Sequence, residues 1–121
     1  MALHFEIPID AIPQQRPRVY NKVAVDPPKC KQFKLELAML VKSFRRGSAL
    51  LEGELKVEIH IYRKFKVTSK RFGDIDNLTK GILDALTGVL WLDDKQISSL
   101  FVTKNLSDTP LIVLDVEEVF K

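Results

Sequence analysis

The stretch GDIDNLTKGILDALTGVLWLDD, residues 73–94, carries five aspartates (Asp74, Asp76, Asp84, Asp93 and Asp94) and a single lysine, Lys80. Carboxylates gathered at both ends of one segment repel each other unless a cation lies between them. A hard cation such as Mg²⁺ is commonly held by one or two carboxylates together with water and substrate phosphate. Asp74 and Asp76 are spaced i, i+2, which in an extended segment aims both at one side while Ile75 turns inward. A turn after VLWL would carry Asp93 and Asp94 back beside them. Lys80 lies one helical turn beyond Asp76 on the same face, where its ammonium can offset charge developing on a phosphoryl group. The chemistry open to such a set is phosphoryl transfer. Each part also has a plainer reading: Asp76 as a helix N-cap, Asp84 as an i+4 ion-pair partner of Lys80, Asp93-Asp94 as a turn. D-x-D alone is common in sugar transferases, phosphatases and ordinary loops.

The elements that must position these residues can be read from periodicity. ALHFEIP (2–8) alternates Leu3, Phe5 and Ile7 with polar neighbours, as a half-buried strand does. AIPQQRPRVYNKVAVDPPK then has four prolines and no amphipathic period, and reads as an extended loop of the length that tends to be functional or disordered. From Pro28 the apolar positions Phe33, Leu37, Leu40, Val41 and Phe44 predict a helix that Gly47 ends. ELKVEIHIY (54–62) alternates strictly. RKFKVTSKRFG (63–73) holds five bases and no acid, and either prolongs that strand or forms a loop. Leu78, Ile82, Leu83, Leu86 and Leu90 predict a second helix, with Gly88 near its exit. ISSLFVTK and LIVLDVEEVF read as strands around the turn-forming NLSDTP, a hairpin pattern. The order strand, helix, strand, helix, strand, strand predicts an α+β fold: a small mixed or antiparallel sheet with two helices packed on one face. The chain reads as one domain, 1–121.

Composition sets the surroundings. The chain has 121 residues, a net charge of +3 and one cysteine, Cys30, which suits a reducing compartment; no apolar run approaches a membrane span, and a cytoplasmic location is expected. The net charge conceals an asymmetry. Residues 1–73 carry 15 Lys/Arg against 7 Asp/Glu, and residues 74–121 carry 4 against 9. A basic half suits a polyanion such as nucleic acid. Candidate phosphate contacts are Arg16, Arg18, Lys22 and Lys29 around the proline-rich segment, and Arg63, Lys64, Lys66, Lys70 and Arg71 ahead of the acids. Phe65 and Phe72 are candidates for base stacking or for packing, and Trp91 for the core.

D-I-D-N-L-x-K-x-x-L-D-A-L-x-G, followed by x-x-W-L-D-D-x-Q-I, closely resembles the signature of the RusA family of Holliday junction resolvases. P-x-x-Q-R-P-R-V and the helix after Asp26-Pro27-Pro28 resemble phage and prophage members in particular. The resemblance implies a Mg²⁺-dependent endodeoxyribonuclease, with Mn²⁺ as a substitute, acting as a homodimer on branched four-way DNA in recombination and repair. It places the family's metal-binding acids on Asp74, Asp76 and Asp94 and its lysine on Lys80, leaving Asp93 a neighbour and Asp84 structural. One departure is Gly73, where some members have a basic residue. Two rival functions stay open on the residues alone: a branched-DNA binding protein that does not cleave, and a small metal-dependent nucleotide phosphotransfer enzyme.

Overall fold

A computed structural model describes residues 2–14, 18–20, 23–25 and 28–120, with side chains described for 2–14 and 28–119. The elements are β1 (Ala2–Ile7), β2 (Arg18–Tyr20), β3 (Val23–Val25), α1 (Pro28–Arg45), β4 (Glu54–Arg63), α2 (Ile75–Leu86), a 3-10 turn (Asp94–Gln96), β5 (Ile97–Leu106) and β6 (Leu111–Phe120). Four strands form one mixed sheet in the order β1-β6-β4-β5, and both helices cover one of its faces, as an α+β fold requires. Alternation decides which side chains meet them. Phe5, Ile7, Leu55, Val57, Ile59, Ile61, Ile112, Leu114 and Val116 are buried, while the residues between them face the other way. Against this face α1 sets Phe33, Leu37 and Val41, and α2 sets Leu78, Ile82 and Leu86. Trp91 is fully buried, as expected. Phe44 departs from the predicted buried stripe: it is half exposed and stacks on Phe5 with ring centroids 6.1 Å apart.

Two sequence expectations need correction. β5 and β6 do not pair as a hairpin. β4 lies between them, parallel to β5 and antiparallel to β6. The cause is α2, which crosses over the sheet and returns the chain parallel to β4; a strand–helix–strand unit demands that. The NLSDTP segment then passes over the end of β4, where Ser107 N–H donates to the Arg63 carbonyl at 2.9 Å. Secondly, the proline-rich segment is not wholly loop, because β2 and β3 pair antiparallel within it.

The base-rich segment after β4 leaves the sheet, and Arg63 is not the solvated phosphate contact that composition suggested. It is buried, with its guanidinium bonded to both Asp10 oxygens (2.8 and 3.2 Å) and donating to the carbonyls of Arg71 (3.0 Å) and Phe72 (2.6 Å). It also lies over the rings of Phe65 and Phe72. One side chain thus pins both ends of the 64–72 loop to the segment after β1. Phe72 is fully buried and is a packing residue.

Candidate active site

Gly73 turns the chain from this loop into α2. Its φ is +96°, in the left-handed region, and a Cβ there would stand 2.3 Å from Cγ of Pro13. Both facts exclude a side chain, which accounts for the absence of a basic residue at this position. Gln14 N–H donates to the Asn77 carbonyl (3.0 Å) and the Cys30 thiol to the Pro13 carbonyl (3.3 Å), so the 8–14 segment braces the start of α2. A cation arrives from elsewhere: Lys104 of β5 donates to the Gly73 carbonyl at 2.7 Å, with its ammonium 4.8 Å from the centre of the Phe72 ring. Sequence reasoning missed Lys104, since nothing local links a residue of a late strand to the D-x-D turn.

The helix begins two residues earlier than the i, i+2 argument assumed. Asp74, not Asp76, holds the N-cap position, without a side-chain capping bond. Ile75 opens the helix and is 42% exposed rather than turned inward. Asp76 therefore sits in the first turn, where a carboxylate favours the positive end of the helix dipole, and its Oδ1 accepts from Asn77 N–H at 3.0 Å.

Beyond α2, Gly88 (φ +85°) reverses the chain. The Gly88 N–H donates to the Trp91 carbonyl at 2.7 Å, and the Leu51 N–H to the Leu90 carbonyl at 2.8 Å. The adjacent aspartates then separate. Asp93 caps the 3-10 turn, accepting from Lys95 N–H at 2.9 Å. Its reciprocal partner Gln96 accepts from the N–H groups of Leu92 and Asp93 and donates to the carbonyls of Leu51 and Gly53. Asp94 instead faces the space between α2 and β5, with Oδ1 accepting from the Thr87 hydroxyl (2.6 Å) and the Trp91 indole N–H (3.1 Å).

An open cleft of about 490 Å³ results, lined by Asp76, Lys80, Asp84 and Asp94 beside the apolar Ile75, Leu83, Leu100 and Val102. The fold therefore brings Asp76, Lys80 and Asp94 together. Asp74 lies at the helix start, outside the lining, and Asp84 forms its ion pair with Lys34 of α1 (3.6 Å) instead of with Lys80. Among the described residues Asp74, Asp76 and Asp94 have no ion pair within 4 Å. This all-oxygen, uncompensated donor set suits a hard divalent cation. The three carboxylates do not close on one another as a complete cage would, so water and phosphate oxygens would complete the shell, as is usual for Mg²⁺.

A tighter group lies on the opposite face of the sheet. Ligand atoms of Glu58, His60 and Asp115 all fall within 4.8 Å of one another. His4 bonds Asp115 there (Nδ1 to Oδ1, 2.6 Å) and Glu6 (3.1 Å), and Asp115 first and Glu6 second raise its pKa above the ordinary value. Of the proposed DNA contacts, Lys29, Lys66, Lys70 and Arg71 are exposed, the last three on the loop leading to Asp74. Arg16 and Lys22 lie outside the described residues, and of Arg18 only its backbone place in β2 is described.

Two comparisons bear on this arrangement. The chain is 31% identical to a protein of Bacillus subtilis (strain 168) named "Uncharacterized protein YqaN", over 97% of this chain and 96% of that protein. The family model described as "Endodeoxyribonuclease RusA" matches residues 8–117, spanning the braced N-terminal segment, the basic loop, the cleft and the greater part of β6. The chain belongs to the RusA endodeoxyribonuclease family.

Proposed function

We propose that this chain is a structure-selective endonuclease that resolves four-way DNA junctions in recombination and repair by paired, symmetric nicks. It works as a cytoplasmic homodimer with Mg²⁺, for which Mn²⁺ substitutes. One observation carries the reading: a single cleft holds Asp76, Asp94 and Lys80, and the chain entering it is the exposed basic loop with Lys66, Lys70 and Arg71. In an endodeoxyribonuclease family, carboxylates that share a cleft without counterions point to a divalent metal.

Asp76 and Asp94, with Asp74 at the edge, would hold the cation. When bound, it would supply Lewis-acid charge for the phosphoryl oxygens and favour the nucleophilic form of water. Lys80, fixed on the rigid face of α2, offsets the charge that grows on the phosphoryl group. Lys66, Lys70 and Arg71, with Arg16, Arg18, Lys22 and Lys29, hold the duplex arms through phosphate contacts, which position DNA without reading its sequence. A two-fold dimer on a two-fold junction accounts for paired cuts. Among the described residues no helix is long and apolar enough to cross a membrane.

The test is strand cleavage of an end-labelled synthetic four-way junction, with and without Mg²⁺, beside linear duplex of the same sequence and the Asp76→Asn variant. Symmetric paired cuts that need metal and vanish in the variant support the reading. Tight binding without cutting, over several junction sequences, would make the chain a binding module. Equal cutting of duplex would sink junction selectivity, and turnover of mononucleotides alone would favour a phosphotransfer enzyme.

A further inference from the structure

We infer that Thr87 and Trp91 are positioning residues for the cation site: together they saturate one oxygen of Asp94 and leave the other to the cleft. The inference rests on the metal reading above and deepens it. Thr87 closes α2, and its backbone N–H already donates to the Leu83 carbonyl at 3.0 Å. Its hydroxyl has one proton and two acceptors in reach, the same carbonyl at 2.9 Å and Asp94 Oδ1 at 2.6 Å. The carbonyl is served by the backbone, and a carboxylate is the stronger acceptor, so the proton goes to Asp94. The indole N–H of the fully buried Trp91 lies 3.1 Å from both Thr87 Oγ1 and Asp94 Oδ1. Two donors, one on the fully buried Trp91 and one on the half-buried Thr87 at the end of α2, thus hold the Asp94 carboxylate in one orientation. Donors that orient a ligating carboxylate typically govern metal affinity by about ten- to a hundredfold. Asp93 cannot take over, since its carboxylate caps the 3-10 turn.

The experiment is calorimetric titration of the full chain with Mn²⁺, for wild type, Thr87→Val, Thr87→Ser and Trp91→Phe, each well below its own melting temperature. Thr87→Val keeps the side-chain shape but loses the hydroxyl, and should weaken Mn²⁺ binding by about ten- to a hundredfold. Thr87→Ser, which keeps the hydroxyl, should bind nearly as wild type does. Trp91→Phe removes the second donor, should weaken binding in the same direction, and decides the matter if Thr87→Val does not fold. Excess Mn²⁺ should restore junction cleavage to Thr87→Val, which a merely structural defect would not allow. Unchanged Mn²⁺ affinity in folded Thr87→Val and Trp91→Phe overturns the inference while leaving the metal reading intact. A wild-type chain that takes up no Mn²⁺ overturns the metal reading itself, and the inference with it.

Discussion

The two faces of the sheet both gather carboxylates, and they handle them in opposite ways. On the open face Glu58 and Asp115 stand directly across β4 and β6, and His4 stands across from Asp115 on β1. Here the carboxylates find histidine partners within the sheet, through His4–Asp115, His4–Glu6 and His60–Glu58 contacts. In the cleft on the helix side, the oxygen of Asp94 is held by neutral donors, and neither Asp76 nor Asp94 has an ion pair among the described residues. Carboxylates paired with histidine already have partners of their own, whereas carboxylates held in place without a counterion are poised for an added cation. Surroundings reinforce the difference. The open face carries Glu6, Glu58, Asp115 and Glu117 against Lys56 and repels a polyanion, while the cleft adjoins the basic loop.

The most direct challenge to this contrast is to remove one carboxylate from each face. Asp94→Asn should lower junction cleavage by about 10²- to 10³-fold while junction binding persists. Asp115→Asn should leave cleavage within about twofold of wild type, since surface changes away from such features have little effect. Comparable losses in both would refute the assignment of chemistry to the cleft. Next in size, Lys80→Met should slow single-turnover cleavage about a hundredfold with little change in junction affinity; a change confined to affinity would recast Lys80 as a binding residue. Replacing Lys66, Lys70 and Arg71 together by alanine should weaken junction binding and flatten its salt dependence. The log–log slope should fall by about 0.9 for each DNA phosphate that the variant no longer neutralises. An unaltered slope would remove the loop from the DNA interface.

The smallest effect belongs to the open face. The pKa of His4 is raised in the folded chain above its ordinary 6.5, so folding favours its protonated form. That stabilisation is complete below 6.5 and is lost as pH rises through the folded value. The His4 side chain is about half exposed, and only a small shift in urea midpoint is expected. The wild type should exceed His4→Asn in mildly acidic buffer and converge with it in alkaline buffer. A gap that widened with pH would contradict the His4–Asp115 pairing.

Much was legible because it depends on local period. Strict alternation in 54–62 and the apolar repeat from Leu78 to Leu86 report which side of an element is buried, and no distant residue is needed for that. The motif residues Asp76, Lys80 and Asp94 were legible too, the first two being neighbours on one helix. Other features depend on which elements meet, and no period encodes that. The place of β4 between β5 and β6 follows from the α2 crossover. Arg63, read by composition as a phosphate contact, is buried because Asp10 and two carbonyls converge on it from separate segments. Gly73 reads as a departure in sequence and as a necessity in space, once Pro13 occupies the room of its side chain. The elements, their buried faces and the residue types available for phosphoryl chemistry were thus set by spacing along the chain. That Asp94 enters the cleft while Asp93 caps a turn, and that Lys104 reaches Gly73, was settled in three dimensions alone. Those choices are made by hydrogen-bond partners that the fold brings together from distant positions.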